Sequence, residues 1–497
     1  MGRLTRKVGI VALGRGANAL AVYVVYALAA RTWDKVQCEV FAAVWVLSNA
    51  LVPIFLIGLP TAVLYFFPRR ENTRGLALQA GSCALGSAII LGGLLHLAGS
   101  ELFAILHGDE GPPPGMNEPL AAFIPYAVAL VAGGVLDAVL IAAERAHWQA
   151  LLGLGSSVGL VAAAAVGYAW GLTTAEVLGL ISCVGLLRLA AAYALVYRVV
   201  GSGAHWGADG WRELLSYTRP IAMNDAVGAL SRTIDRIVIL YFFTHETFAE
   251  YHFGAVEVPI SLLLAAVVTV LVPEVSALYQ RGDRQAIAHL WRQAVSRLTL
   301  IALPLFCFLF AFADVFIAWY LPAEYAASTW VFRIFLLSLP LRCAVYNPLL
   351  VGMGKASWAL WGSLFDLAFN AALSVGLVLW LTQSGSAWAY LGPAIATVVA
   401  TYAQVAFLVG AIAIHLRWTW SELLPWSALG RLALIGVVAS GASRWVSGWI
   451  ELGAMMQLGL GGALCALATV ALLGADPHHR HTLRSLISAL YPSKAAR

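Results

Sequence analysis

The chain has 497 residues, 61% of them hydrophobic and only 11% charged, with a formal net charge of +5. A mean hydropathy of +0.83 excludes an ordinary soluble domain, which would expose far more apolar surface than water tolerates. The basic residues are scattered in short turns rather than massed, so the charge is no nucleic-acid signal. The six cysteines lie mostly inside apolar stretches without paired spacing, which argues against a disulfide framework or a zinc site.

Apolar stretches of roughly 20 residues, each long enough to cross a bilayer as a helix, recur along the whole length. Unbroken apolar runs such as Ala162–Val166 and Ser261–Val272 are not the alternating pattern of a barrel. The start, Arg3 to Lys7 before an apolar run, resembles a signal peptide. Arg15 and Asn18 interrupt that run, so it reads as a retained first span. In chain order the spans fall at 8–30, 39–66, 75–106, 120–143, 148–170, 174–199, 217–243, 251–275, 296–321, 329–352, 357–382, 388–414, 429–449 and 454–474. The fold class is thus an all-α polytopic membrane protein of about 14 transmembrane helices.

Orientation follows from Lys and Arg on alternate sides. With the N-terminus in the cytoplasm, inner segments hold 21 of the 30 and outer segments hold Arg31, Lys35 and Arg444, or 3. Trp170, Trp319, Trp330, Trp380 and Trp388 near outer ends fit the same frame, as do Trp148, Trp291, Trp358 and Trp418 near inner ends. Both termini are expected in the cytoplasm. Asp283–Arg297 places Ile287, Leu290, Trp291 and Ala294 at helical spacing, which suits an interfacial helix or a helical extension packed on its neighbours. The tail repeats the pattern with Leu483, Leu486, Ile487 and Leu490.

Two matches recur at nearly one offset. Arg145-Ala146-His147-Trp148 resembles Lys355-Ala356-Ser357-Trp358, and Pro60, Tyr65, Arg69 resemble Pro273, Tyr279, Arg281. They suggest an N-terminal six-helix lobe at 1–200 and a second at 201–416. Two added helices at 417–474 and a cytoplasmic tail at 475–497 complete the chain. Paired lobes of like orientation place a cavity between them and work by alternating access. Pro53, Pro60, Pro259, Pro304 and Pro340 supply bends.

A charge at mid-bilayer costs roughly 2.5–3.5 kcal/mol even on the lenient scale, so intramembrane ions face a cavity or a partner. The first span carries Arg15 and Asn18, the fourth Asp137, and the sixth Arg188. The seventh carries Asp225, Arg232, Asp235 and Arg236, with Asp225, Arg232 and Arg236 near one face and Asp235 to one side. Glu257, Asp314, Arg333, Arg342, Asp366 and Asn370 follow. Asp137, Asp314 and Arg333, nearer span ends, suit interhelical ion pairs. Arg15, Asn18, Arg188, Arg232, Arg236 and Arg342 are the candidate substrate-binding residues, because guanidinium forks hold phosphate oxygens bidentately. Asp225, Asp235, Glu257, Asp366 and Asn370 could contact sugar hydroxyls or carry a coupling proton or sodium ion. No other cofactor is indicated.

From Leu214 to Leu416 the order of features resembles the Wzx-type polysaccharide flippases of the multidrug/oligosaccharidyl-lipid/polysaccharide (MOP) exporter superfamily. The pieces are Leu214-Leu215-Ser216-Tyr217-Thr218-Arg219-Pro220, Ile234-Asp235-Arg236, Glu250-Tyr251, Val272-Pro273-Glu274 and Arg281-Gly282-Asp283. Pro304, Gly352-Met353-Gly354-Lys355, Asn370 and Gly392-Pro393-Ala394-Ile395-Ala396-Thr397 continue the series. Arg31-Thr32-Trp33-Asp34 departs from the family pattern after the first span. The resemblance implies a two-lobed MATE-like transporter, not an enzyme, in the bacterial cytoplasmic membrane. It implies flipping of undecaprenyl-diphosphate-linked oligosaccharide from inner to outer leaflet, driven by an ion gradient or membrane potential. Its implied partners are the lipid-linked glycan, membrane lipids, and polysaccharide polymerase or assembly proteins. A drug or metabolite exporter of the same superfamily would favour a less basic cavity. A membrane glycosyltransferase or polymerase would need larger outer loops, and no phosphate-binding glycine loop followed by Lys-Ser/Thr is present.

Overall fold

Hydrocarbon offers backbone amides no partner but one another, which leaves the helix as the simplest spanning form. The computed structural model describes residues 2–70, 72–200, 210–256, 258, 271–272, 274–419, 424–450 and 452–476, with backbone alone for residues 2–15 and 356. All regular structure among the described residues is helical. The first nine helices are α1 (Gly2–Thr32), α2 (Lys35–Phe55), α3 (Leu59–Phe66), α4 (Thr73–Leu106), α5 (Asn117–Ala142), α6 (Ala146–Trp170), α7 (Thr174–Val200), α8 (Trp211–Phe242) and α9 (His245–Gly254). Then come α10 (Arg284–Ala311), α11 (Ala313–Tyr320), α12 (Ser328–Leu336), α13 (Leu339–Arg342), α14 (Tyr346–Gly352), α15 (Ala356–Gln383), α16 (Gly392–Leu416), α17 (Trp426–Ser447) and α18 (Ala454–Ala475).

Eleven helical segments among the described residues are long and apolar enough to cross a membrane. α8 has the length but carries seven charged side chains between Arg212 and Arg236. With α1 and α8 this gives thirteen among the described residues, consistent with about fourteen; the predicted 251–275 span lies largely outside them. The protein is a polytopic helical membrane protein.

Residues fall into two compact units, 1–253 with 363–397 and 254–362 with 398–497. In the first unit, α5 packs on α3, α4 and α7, and α1 lies along α6. The core there joins Leu59 and Val63 of α3, Leu76 and Ala80 of α4, Val135 and Val139 of α5, and Ala192 of α7. The predicted second span is broken between α2 and α3. Pro53 removes one amide donor from α2, and the chain leaves the helix through Ile57 (φ 44°) and Gly58 (φ 70°). Ser87 of α4 donates to the freed carbonyl of Phe55 at 2.5 Å, so the break is satisfied from a neighbouring helix.

In the second unit, Ile287 and Trp291 are fully buried and α10 runs unbroken from Arg284 to Ala311. The 283–297 stretch is therefore a helical extension packed on its neighbours. The tail leucines lie outside the described residues. The predicted ninth span ends at Phe312 between α10 and α11, and the tenth is divided into α12, α13 and α14. Asp314 accepts from Arg444 at 2.6 Å and lies 3.7 Å from Arg333, the structural ion pairing read for Asp314 and Arg333. α17 and α18 pack closely, and a Cβ on Gly461 would stand 2.5 Å from the Phe312 ring.

The repeated tetrapeptides start α6 and α15 in the same way. Arg145 N–H donates to Leu140 O and Lys355 N–H to Leu350 O, both at 2.8 Å. The residue before each, Glu144 (φ 62°) and Gly354 (φ 70°), takes the left-handed turn that ends the preceding helix.

Trp291 Nε1 donates to Ala344 O at 2.7 Å from a fully buried ring. Trp291→Phe, which keeps an aromatic body but frees that carbonyl, is expected to cost about 1–3 kcal/mol. Trp291→Ala should cost more through the cavity it leaves. Thermal unfolding in detergent should rank wild type above Phe above Ala.

Candidate functional site

Within the first unit, α1, α3, α5, α6 and α7 surround a cavity of about 530 Å³. Its polar lining is Asn18, Tyr126, Asp137, Gln149, Ser156 and Arg188. Arg188 Nη2 donates to Asp137 Oδ2 at 2.5 Å, joining α7 to α5 through a charge-assisted bond. Gly133 lets this guanidinium approach: a Cβ there would stand 3.3 Å from Arg188 Nη1. Gly185 likewise leaves room for the Tyr126 ring, 2.6 Å from where its Cβ would be. Gln149 is 8% exposed, and its Oε1 has no hydrogen-bond partner among the described residues. A buried amide oxygen left open in a cavity wall is a place for a donor from a guest.

Asn18 and Arg188, separated by most of the six-helix lobe in sequence, thus face one cavity. Asp137 faces it too, so the residue read as a structural ion pair partner is also a cavity residue. At rest the cavity wall is neutral, one guanidinium beside one carboxylate.

A second polar group is centred on α8. Asp235 is 1% exposed; its Oδ2 accepts from Tyr251 at 2.9 Å and its Oδ1 lies 3.4 Å from Arg236 Nη1. Arg236 also donates to Arg232 O at 3.0 Å. Arg232 is exposed, and Asp225, two turns earlier, is half-buried. Asp235 turns inward, whereas Arg232 of the same helix is exposed. Ser231 donates to Asp366 of α15. Asn370 is 1% exposed and bonds Ser374 at 3.0 Å and Thr397 at 3.2 Å, a buried amide network between α15 and the start of α16. His252 is 5% exposed, and neither ring nitrogen has a hydrogen-bond partner among the described residues.

Arg342 closes α13 in the second unit, half-buried. Arg15 lies on α1 with its side chain outside the described residues, and Glu257 lies outside them altogether. Sequence reasoning missed Tyr126, Gln149 and Ser156, which carry no charge and look like ordinary span residues. It also missed Glu39, His107 and His245, which meet at one end of the unit: both Glu39 oxygens lie 2.7 Å from a ring nitrogen.

Residues 150–329 match the family model described as polysaccharide biosynthesis protein. The lipid II flippase MurJ, in an inward closed conformation, has a similar structure at 12% identity and a TM-score of 0.69 over 96% of this chain and 99% of that one. An inward-facing multidrug resistance transporter of the MATE family matches at 14% identity and 0.62, covering 85% and 96%. A transporter from Pyrococcus furiosus matches at 14% and 0.60, covering 84% and 96%. The fold is the one these flippase and transporter structures share. A search of curated proteins returns no match. The MOP resemblance carried by the second half of the sequence extends, as fold, to nearly the whole chain.

Removing Arg188 from this cavity leaves Asp137 without its guanidinium. Arg188→Ala is expected to cost about 3–5 kcal/mol, and Arg188→Ala with Asp137→Asn to regain most of it. Thermal unfolding of the two variants in detergent measures the coupling.

Proposed function

We propose that the protein flips a lipid-linked oligosaccharide, carried on undecaprenyl diphosphate, from the inner to the outer leaflet of the bacterial cytoplasmic membrane by alternating access. Both termini face the cytoplasm in this reading. The observation that carries it is the intramembrane cavity in which Arg188, Asn18, Gln149 and Ser156 gather. The polysaccharide-biosynthesis family match and the MOP fold supply its context. A diphosphate competes with Asp137 for the Arg188 fork, which fits phosphate oxygens bidentately. Amide and hydroxyl groups beside it suit sugar hydroxyls. Asp225, Asp235 and Asp366 are the candidates for coupling to a proton or sodium gradient, and polysaccharide polymerase or assembly proteins are the candidate partners.

A cell lacking the protein is expected to accumulate lipid-linked repeat units on the cytoplasmic leaflet and lose the surface glycan. Arg188→Ala with Asp137→Asn, expressed at wild-type level, should restore less than about a tenth of export, the loss of one charge-assisted contact. Wild-type export by that folded double variant would overturn the cavity's role. Unchanged export after collapse of both proton and sodium gradients would exclude gradient coupling.

A further inference from the structure

One end of the first unit, where α2 begins, α4 stops and α9 begins, holds a buried constellation whose residues are not among those lining the cavity. Glu39, in the second turn of α2, is fully buried, and His107, which caps α4, is 2% exposed. His245, the first residue of α9, has a side chain 17% exposed. Glu39 Oε1 stands 2.7 Å from His107 Nε2, and Oε2 stands 2.7 Å from His245 Nδ1.

The hydrogen positions at His107 are constrained. Its Nδ1 lies 2.7 Å from the Phe103 carbonyl. A carbonyl can only accept, so Nδ1 carries a proton. In a neutral ring Nε2 then presents a lone pair to a carboxylate oxygen, and two acceptors at that distance repel. The second contact is equally telling. Glu39 Oε2 makes no hydrogen bond, although His245 Nδ1 is 2.7 Å away. Two imidazoles and one carboxylate thus converge on a place that requires positive charge. A proton on His107 Nε2 would supply it as an ordinary ion pair; one dication would instead engage both rings and the carboxylate, including the Oε2 that makes no hydrogen bond, through ligand bonds.

We propose that Glu39, His107 and His245 form a binding site for one divalent ion of the zinc class. Two imidazole nitrogens and a carboxylate oxygen are a donor set suited to zinc, which leaves a fourth position for water. One donor atom from each residue can be chosen with all three within 4.8 Å of one another. Tetrahedral bonds of about 2.0–2.1 Å would set the donors about 3.3 Å apart, a shift within reach of side-chain rotation. The groups behind the ligands fit as well. His107 is held by the Phe103 carbonyl, and Glu110 Oε1 lies 4.0 Å from the remaining nitrogen of His245. A carbonyl partner such as that of Phe103 fixes the ring orientation of a metal-binding histidine, whereas Glu110, beyond hydrogen-bond distance, adds only nearby negative charge. The ion would staple α2, the end of α4 and the start of α9. Lys35 and Glu250, paired at 2.5 Å, already tie α2 to α9, so the fold does not depend on it.

The test uses the full-length protein in detergent, stripped with a chelator and freed of any affinity tag, titrated with Co²⁺ and then Zn²⁺. Expected are one equivalent bound, the intense visible absorption of four- or five-coordinate cobalt, its displacement by zinc, and a higher Tm with zinc. His245→Asn, at the partly exposed ligand, should fold yet bind zinc at least roughly 10–100-fold more weakly. Exposed His289→Asn should bind as wild type does. Absence of stoichiometric cobalt absorption in wild type overturns the proposal, as does equal zinc affinity in wild type and His245→Asn. A wild-type Tm that ignores zinc but falls as pH rises through the histidine range would show that protons hold the site, and would overturn it too.

Discussion

A carboxylate carried into a bilayer must bring its own counter-charge or donors, because lipid supplies neither. That constraint organises the polar interior of this protein. Asp137 meets Arg188, Asp235 meets Tyr251 and Arg236, Asp366 meets Ser231, and Asp314 meets Arg444 and Arg333. Each contact joins separate elements of one unit, apart from the neighbouring pair Asp235–Arg236. The same charges that would be costly in isolation therefore also tie helices. Apolar packing against lipid cannot do this, since tails are as apolar as leucine.

An ion pair is also an exchangeable bond. Arg188 is neutralised by Asp137 at rest, yet a diphosphate offers the same geometry with more charge. In the proposed cycle, arrival of the headgroup exchanges one acceptor for another without stranding a cation in hydrocarbon. Asp137 then needs a new partner, and nearby donors or a proton could serve. In the proposed cycle charge neutrality and substrate recognition rest on the same two side chains. Small residues crowd there, Gly133 and Gly185 admitting the guanidinium and the Tyr126 ring.

Much of the fold was legible because the bilayer imposes one simple rule on sequence. Spans of the right length appeared in order, and the match at Arg145 and Lys355 fell on two helix starts with the same hydrogen bonding. Breaks were harder to place. Pro53 signalled a bend, but the chain leaves the helix four residues later through Ile57 and Gly58, and helix end geometry is set by neighbours such as Ser87. Charged side chains were conspicuous because hydrocarbon makes them costly, but that Asn18 and Arg188 line one cavity within the first unit came only from the fold. Gln149 and Ser156 were not conspicuous, since polar neutral residues are common in spans. Glu39, His107 and His245 lie at helix ends far apart in sequence, and only the topology brings them together.

In the proposed cycle the Arg188–Asp137 cavity receives a lipid diphosphate. Native mass spectrometry of the purified protein with an undecaprenyl-diphosphate glycolipid, against its monophosphate and uncharged analogues, tests this most directly. One tightly bound diphosphate lipid is expected, with weaker binding of the monophosphate and loss of that preference in the Arg188→Ala, Asp137→Asn double variant. Equal binding of all three lipids, or a preference that survives in the folded double variant, would contradict it.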